Sequence, residues 1–254
     1  MDFNTITEFE NQIAEYFGSK YAVAVDCCTH GVELCLRYTD AKAIYCPKRT
    51  YISIPFLANK LGITLIWDDY EWKDSYGLTE DVFDAAVLWK EDSYIPGTFM
   101  NLSFQYQKHL SLGKGGIILT DNQEAAIELK KMSYDGRLPG IPWRDQNIST
   151  VGYHYYMTPE TAQLGLDKLP NAIKTEPRQW VYTDWPDLTE QMDVFKSEYT
   201  LWDMVSYGDG EPLVPFTKIK SSSNLNELKR YANDTKIYSY VITDKNNKII
   251  LTKE

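Results

Sequence analysis

The stretch Ser103-Phe104-Gln105-Tyr106-Gln107-Lys108-His109-Leu110 runs into Gly113-Lys114-Gly115-Gly116 and then into Ile117-Ile118-Leu119-Thr120. It sets one lysine in a short polar and aromatic segment, just ahead of a glycine turn and an apolar strand. A lysine ordinarily sits at the surface. Once desolvated it sheds its proton and can condense with a carbonyl to form a Schiff base. Lys108 is therefore the first candidate for chemistry.

Working outward, the flanking chain alternates strands with helices. Ile6, Phe9, Ile13 and Phe17 recur at helical spacing, so residues 5–17 read as an amphipathic helix, with Thr5 and Glu8 as a capping box and Gly18 as its end. Strands are predicted at 21–25, 43–46, 63–67, 82–86, 100–104 and 116–120. Helices are predicted at 31–38, 53–61 and 123–134, and at 158–169, where Thr158 caps, Pro159 takes the first position and Pro170 stops continuation. Residues 135–150, rich in Gly, Pro, Arg and Asn, read as a long loop. This order predicts an α/β fold with a mixed, mostly parallel sheet and helices on both faces. After Pro170 the pattern weakens: a helix over 188–204, a short helix over 225–232 and a β-hairpin over 236–251 are expected. The predicted domains are 1–170 and a reduced C-terminal region, 171–254.

The chain has 254 residues, enough for one large core or two modest ones. A net charge of -10 and a pI near 4.9 argue against a partner held through nucleic-acid phosphates. Cys27, Cys28, Cys35 and Cys46 lack zinc-ligand spacing and read as reduced thiols of a cytoplasmic protein. His30 and His109 have no carboxylate or cysteine at ligand spacing, so no metal is expected. No basic, apolar leader opens the chain, and no apolar run approaches membrane-spanning length.

A second feature with chemical meaning is Val25-Asp26-Cys27-Cys28-Thr29-His30-Gly31. A strand end that turns into a helix exposes unpaired backbone N–H groups at the positive end of the helix dipole, which suits a phosphate.

The lysine segment resembles the cofactor-lysine motif of the DegT/DnrJ/EryC1/StrS sugar aminotransferases: Ser103, Phe104 and Lys108, then Gly113, Gly115 and Gly116. Further segments match in the family's order. They are Cys28-Thr29, Pro47-Lys48-Arg49-Thr50-Tyr51-Ile52-Ser53, Phe83-Asp84-Ala85-Ala86, Gly152-Tyr153-His154-Tyr155-Tyr156-Met157-Thr158, and Gln163 through Leu169. The resemblance covers residues 6–169. It implies a pyridoxal 5'-phosphate fold of type I in a shortened form. It assigns Lys108 to the cofactor aldehyde, Cys28, Thr29 and Ser103 to the phosphate, and Tyr51 to stacking on the pyridine ring. Asp84 falls to the ring nitrogen, and His154 to the phosphate of the neighbouring subunit in a homodimer with shared active sites.

The implied reaction moves an amino group from glutamate or glutamine to a keto-sugar, free or nucleotide-linked. Two other readings stay open: a lyase or dehydratase on the same scaffold, and a non-catalytic relic that binds. The chain departs from the family at three places. The stretches 69–84 and 84–108 are short, and the chain after Leu169 is shorter than the family's usual C-terminal domain. Val87 stands where the family has Gln or His, and Tyr156 where it has Arg.

Overall fold

In the computed structural model, which describes residues 2–192, 199–205, 214–222, 225–235, 237, 240–244 and 249–253, strand β1 (Tyr21–Val25) shows how the sheet is covered. Val23 and Val25 pack into one core, Ala24 into another. On β7 (Gly116–Thr120), Ile118 joins the first core, and Ile117 and Leu119 the second. Alternate side chains of a strand point to opposite faces, so a sheet buried on both sides needs apolar residues at every position. Val23, Ala24 and Val25 of β1 and Ile117, Ile118 and Leu119 of β7 meet that demand.

Helices supply the two covers. α2 (Cys28–Tyr38), α3 (Ser53–Leu61) and α4 (Gln123–Ser133) place Val32, Leu36, Leu57 and Leu129 in the first core. α1 (Phe3–Phe17) and α5 (Pro159–Ala172) place Phe9, Ile13 and Leu169 in the second.

With β4 (Tyr76–Gly77), β5 (Val82–Asp84) and β6 (Phe99–Ser103), the strands form a five-stranded sheet in the order β1-β7-β6-β5-β4. β2 (Ala43–Pro47) and β3 (Thr64–Asp68) form a parallel pair. The α/β class is as expected, with a mixed sheet, but its parallel share is smaller. β5 and β6 run parallel, whereas β1–β7, β6–β7 and β4–β5 are antiparallel. The connection from β6 to β7 explains part of this. It holds Lys108 and the glycines, carries no helix, and so turns the chain straight back.

Three helix boundaries differ from expectation. α1 starts at Phe3 because the carboxylate of Asp2 accepts from the N–H of Asn4 at 2.9 Å. Thr5 and Glu8 therefore form no capping box, and Phe3 packs edge-on against Tyr134, 5.3 Å away. α2 starts at Cys28 rather than Gly31. α5 runs through Pro170 to Ala172. The proline gives up one hydrogen bond in the last turn only, while Leu169 and Ala172 are buried on the α1 side.

The chain divides into two compact units, Met1–Pro186 and Asp187–Glu254. The division falls after the expected boundary at 170 because the segment beyond α5 is fastened to the first unit. Arg49 donates to the carbonyl of Trp185 at 2.9 Å, Tyr182 donates to Glu71 at 2.7 Å, and Trp185 packs on Trp72 at 5.0 Å.

In the second unit the predicted helix over 188–204 is replaced by a short α6 (Leu188–Gln191) and strand β8 (Tyr199–Val205). Tyr199, Thr200, Trp202 and Val205 are residues that favour a pleated surface over a helix. β8 lies in an antiparallel sheet ordered β11-β10-β8-β9, with β9 (Val214–Ser222), β10 (Tyr240–Asp244) and β11 (Ile249–Lys253). α7 (Leu225–Asp234) lays Leu228 and Ala232 against Leu201, Tyr240 and Ile242. The expected hairpin is β10–β11. Its turn, 245–248, and positions 236, 238 and 239 lie outside the described residues.

Candidate active site

β1 ends at Val25, and the chain turns through Asp26 and Cys27 into α2. Cys27 holds the N-cap position, but its side chain makes no capping hydrogen bond. The first-turn amides of Cys28, Thr29 and His30 therefore gain no side-chain acceptor from the cap position. The start of β7 lies against this turn. A Cβ on Gly116 would stand 2.4 Å from the nitrogen of Cys28, so only glycine lets the two backbones approach this closely.

In front of the turn lies a hollow of about 260 Å³. Lys108, Asp84, Thr29, Cys28, Tyr51 and Ser103 all line it. Six of the seven residues singled out in the sequence thus converge from four separate parts of the chain.

Asp84 ends β5 and is only 5% exposed. Its Oδ2 accepts from the Tyr76 hydroxyl at 2.6 Å, and its Oδ1 accepts from the N–H of Ala86 at 2.9 Å. Burial pushes its pKa up, while the Tyr76 and Ala86 hydrogen bonds and the nearby Lys108 charge pull it down. Tyr76 also shares a short hydrogen bond with Thr50.

Lys108 is half-buried. Burial pushes its pKa below the ordinary lysine value, against the pull of Asp84 and Cys28, and the charge of Arg178 lowers it further. Its Nζ lies 4.8 Å from the ring centre of Trp180, a cation–π contact. A lysine in this setting gives up its proton more readily than one in water.

The Thr29 hydroxyl is 2.8 Å from that of Ser53. Cys28 is buried and donates its thiol to the carbonyl of Asn101 at 3.4 Å. Burial and the Asp84 charge push its pKa well up, so the thiol stays neutral beside an anion. Ser103 accepts from the N–H of Gln105 through its hydroxyl at 3.3 Å. Tyr51 is 58% exposed and lines the hollow.

His154 stands apart. It does not line this hollow; its side chain is 69% exposed and pairs with Asp135 at 2.9 Å. Its φ of 60° is unusual for a residue with a Cβ.

The hollow also holds residues that the sequence did not single out, among them Ser53, Gln105, Trp180 and Trp185. Ser53 ends the Pro47–Ser53 segment and was within reach of that reading. The two tryptophans lie past the matched segments, where no periodic pattern marks them.

His30 has closer partners than its spacing implied. The ligand atoms of Asp26, Cys27 and His30 lie within 4.8 Å of one another. Asp26 is nevertheless committed: His30 Nδ1 is 2.6 Å from one oxygen, and Lys114 donates to the other at 2.7 Å. An ammonium at that distance opposes a cation.

The donor set fits pyridoxal phosphate. Hydroxyls and helix-start amides suit the phosphate, a buried carboxylate suits the pyridine nitrogen, and a desolvated lysine suits the aldehyde. Gly116 supplies the cradle, since a side chain there would push α2 away.

The family model described as "DegT/DnrJ/EryC1/StrS aminotransferase family" matches residues 1–88 and 95–181. The chain belongs to the DegT/DnrJ/EryC1/StrS aminotransferase family. Pyridoxal phosphate is the cofactor of that family. An uncharacterized protein of Methanocaldococcus jannaschii, MJ1066, is 22% identical over 65% of the chain and 56% of its own length. The crystal structure of AtS13 from Actinomadura melliaura superposes with a TM-score of 0.58 at 18% identity, over 67% of this chain and 60% of that one. NtdA from Bacillus subtilis, solved with bound cofactor PMP, gives 0.52 at 16% identity, over 67% of this chain and 48% of its own. The chain thus spans between about half and three-fifths of the length of these proteins. The family match omits residues 89–94 and stops at 181, near two of the departures seen in the sequence.

Proposed function

We propose that this protein is an aminotransferase that moves an amino group from glutamate or glutamine to a keto-sugar, free or nucleotide-linked. The convergence of Lys108, Asp84 and Thr29 on one hollow carries this reading. When bound, pyridoxal phosphate supplies an aldehyde to carry the amino group and a pyridinium ring to take up the electron pair of a broken C–H bond.

The chain's own residues do the rest. Lys108 would hold the aldehyde and would carry the proton at its Nζ. Asp84, kept in place by Tyr76, holds a proton on the ring nitrogen. Thr29, Ser103 and the amide of Cys28 bind the phosphate. Tyr51 covers one ring face and excludes water. His154, remote from the hollow of its own chain, is assigned to the neighbouring subunit's phosphate in a homodimer. The setting is the cytoplasm, where the free cysteines stay reduced. Among the described residues no helix is long and apolar enough to cross a membrane.

The test begins with the purified protein and added cofactor. A visible absorption band is expected, with a mass increase locked onto Lys108 by borohydride, and both should be lost in Lys108→Ala. Release of 2-oxoglutarate from glutamate then separates a transaminase from a lyase. A protein that takes up no cofactor at Lys108 overturns the reading and leaves a binding relic.

A further inference from the structure

The four cysteines are all free, and one differs from the rest. Cys28, Cys35 and Cys46 are buried, and each donates its thiol to an oxygen. Cys28 reaches the carbonyl of Asn101 at 3.4 Å, Cys35 the side-chain oxygen of the same asparagine at 3.7 Å, and Cys46 the carbonyl of Pro47 at 3.5 Å. Burial pushes the pKa of all three up, and a thiol held neutral is a poor nucleophile. Cys27 is half-buried and lines the Lys108 hollow. It takes the N-cap position of α2 without spending its side chain on a capping hydrogen bond.

Cys27 does not stand alone. Its Sγ, a ring nitrogen of His30 and a carboxylate oxygen of Asp26 lie within 4.8 Å of one another. The imidazole is fixed from two sides: Nδ1 is 2.6 Å from Oδ1 of Asp26, and the ring lies flat on Tyr155, with centres 3.6 Å apart and 10° between the planes. Lys114 holds the other Asp26 oxygen at 2.7 Å. A thiol beside an imidazole that a carboxylate orients is the arrangement of an activated cysteine nucleophile. Burial works against the imidazolium, but the hydrogen bonds to Asp26 and Cys27 lift its pKa from 6.5 to about 9, so the ring is charged at neutral pH. An imidazolium and a helix N-terminus both favour a neighbouring thiolate.

The aminotransferase reading gives none of these three side chains a task. It does give one to the next residue, whose amide is assigned to the phosphate. Any group added to the Cys27 sulfur therefore enters the hollow at the turn where that anion would sit.

We propose that Cys27 is a peroxide-reactive thiol, activated by His30 and Asp26, whose oxidation closes the start of α2 to the cofactor phosphate. The thiolate sulfur attacks one oxygen of hydrogen peroxide. An S–O bond forms as the O–O bond breaks, and His30 gives its proton to the leaving hydroxide. The sulfur is oxidised by two electrons to a sulfenic acid, and the peroxide is reduced to water. A thiol reductant reverses the step, which makes the modification a switch. The effect on the cofactor rests on the aminotransferase reading; the reactivity of the thiol does not.

The full-length protein without cofactor is treated with limiting iodoacetamide, and its thiols are mapped by peptide mass. Cys27 is expected to label at least about tenfold faster than Cys28, Cys35 or Cys46. Hydrogen peroxide with dimedone, a trap for sulfenic acids, should give one adduct, on Cys27. His30→Gln and Asp26→Asn, each checked for folding by its melting curve, should slow both reactions by about tenfold. Labelling spread over all four thiols, an adduct elsewhere, or rates untouched in both variants overturns the proposal. In a second arm, peroxide should weaken binding of pyridoxal phosphate by about tenfold, the worth of one charge-assisted hydrogen bond. Reductant should restore that binding, and in Cys27→Ser peroxide should leave it unchanged. A reactive Cys27 whose oxidation leaves cofactor affinity unchanged overturns the switch. A protein with a reactive Cys27 that binds no cofactor refutes the aminotransferase reading alone, and one that binds cofactor with an inert Cys27 refutes this inference alone.

Discussion

Tyr76 donates its phenolic hydrogen to Oδ2 of Asp84 across 2.6 Å, at the base of the hollow that Lys108 enters. The two residues pair from antiparallel neighbours β4 and β5, directly opposite in register. The bond lowers a carboxyl pKa that burial raises. Tyr76→Phe takes it away, and a buried carboxylate loses one of its two donors. The expected loss of stability is about 1–3 kcal/mol. The pKa of Asp84 should rise further, so protonation reaches it at a higher pH and the acid limb of the activity profile moves upward. A pH series of turnover on both proteins, with thermal melts alongside, checks this; an unmoved acid limb would remove Asp84 from the ring-nitrogen role.

Thr29 and Ser53 hold their hydroxyls 2.8 Å apart at the start of α2. Thr29→Val keeps the shape and deletes the donor. Cofactor affinity should fall by about tenfold or more, since a hydrogen bond to a charged group is worth about 1.5–3 kcal/mol. Thr29→Ser should restore it. Equilibrium titration of the cofactor band measures both.

Gly116 admits the first turn of α2 at a distance no side chain tolerates. Both neighbours are backbone and cannot yield without moving a strand or a helix. Gly116→Ala should cost about 3 kcal/mol and lower the melting temperature by about 6–12 °C. Because the displaced turn carries the amides proposed to bind the phosphate, cofactor binding should weaken even where the protein remains folded. Calorimetry and cofactor titration at low temperature separate the two effects.

His30 stacks on Tyr155 with ring centres 3.6 Å apart and pairs with Asp26. Burial works to lower its pKa, but the hydrogen bonds to Asp26 and Cys27 outweigh it, and the value rises from 6.5 to about 9. The folded value lies above the unfolded one. The stability that this pair adds is therefore full below about pH 6.5 and is lost as the pH climbs through about 9. The gap in melting temperature between the natural protein and His30→Gln should shrink across that window; a constant gap would show that the imidazole carries no charge there.

Much of the site was legible because its residues lie in short local patterns. Lys108, Ser103 and the glycines share one connection between two strands, and Thr29 and Cys28 share one strand-to-helix turn. Local chemistry and order along the chain suffice to mark these, and the covered sheet follows from apolar runs with turn residues between them. The direction of the strands was less legible. Whether β7 returns beside β6 antiparallel depends on how the Lys108 connection folds, which periodicity does not report. The helix over 188–204 failed for a related reason: strand-favouring residues there find partners in β9 and β10, and pairing across the sheet overrides a local helical reading.

By itself, the sequence determined the family, the alternation of strands and helices, and the candidate lysine, because each of these is written in neighbouring residues. The tertiary structure alone decided that Trp180 and Trp185 wall the Lys108 hollow and that Tyr76 anchors Asp84. These contacts join residues far apart in the chain, and their energies depend on burial and distance, which exist only once the chain has packed.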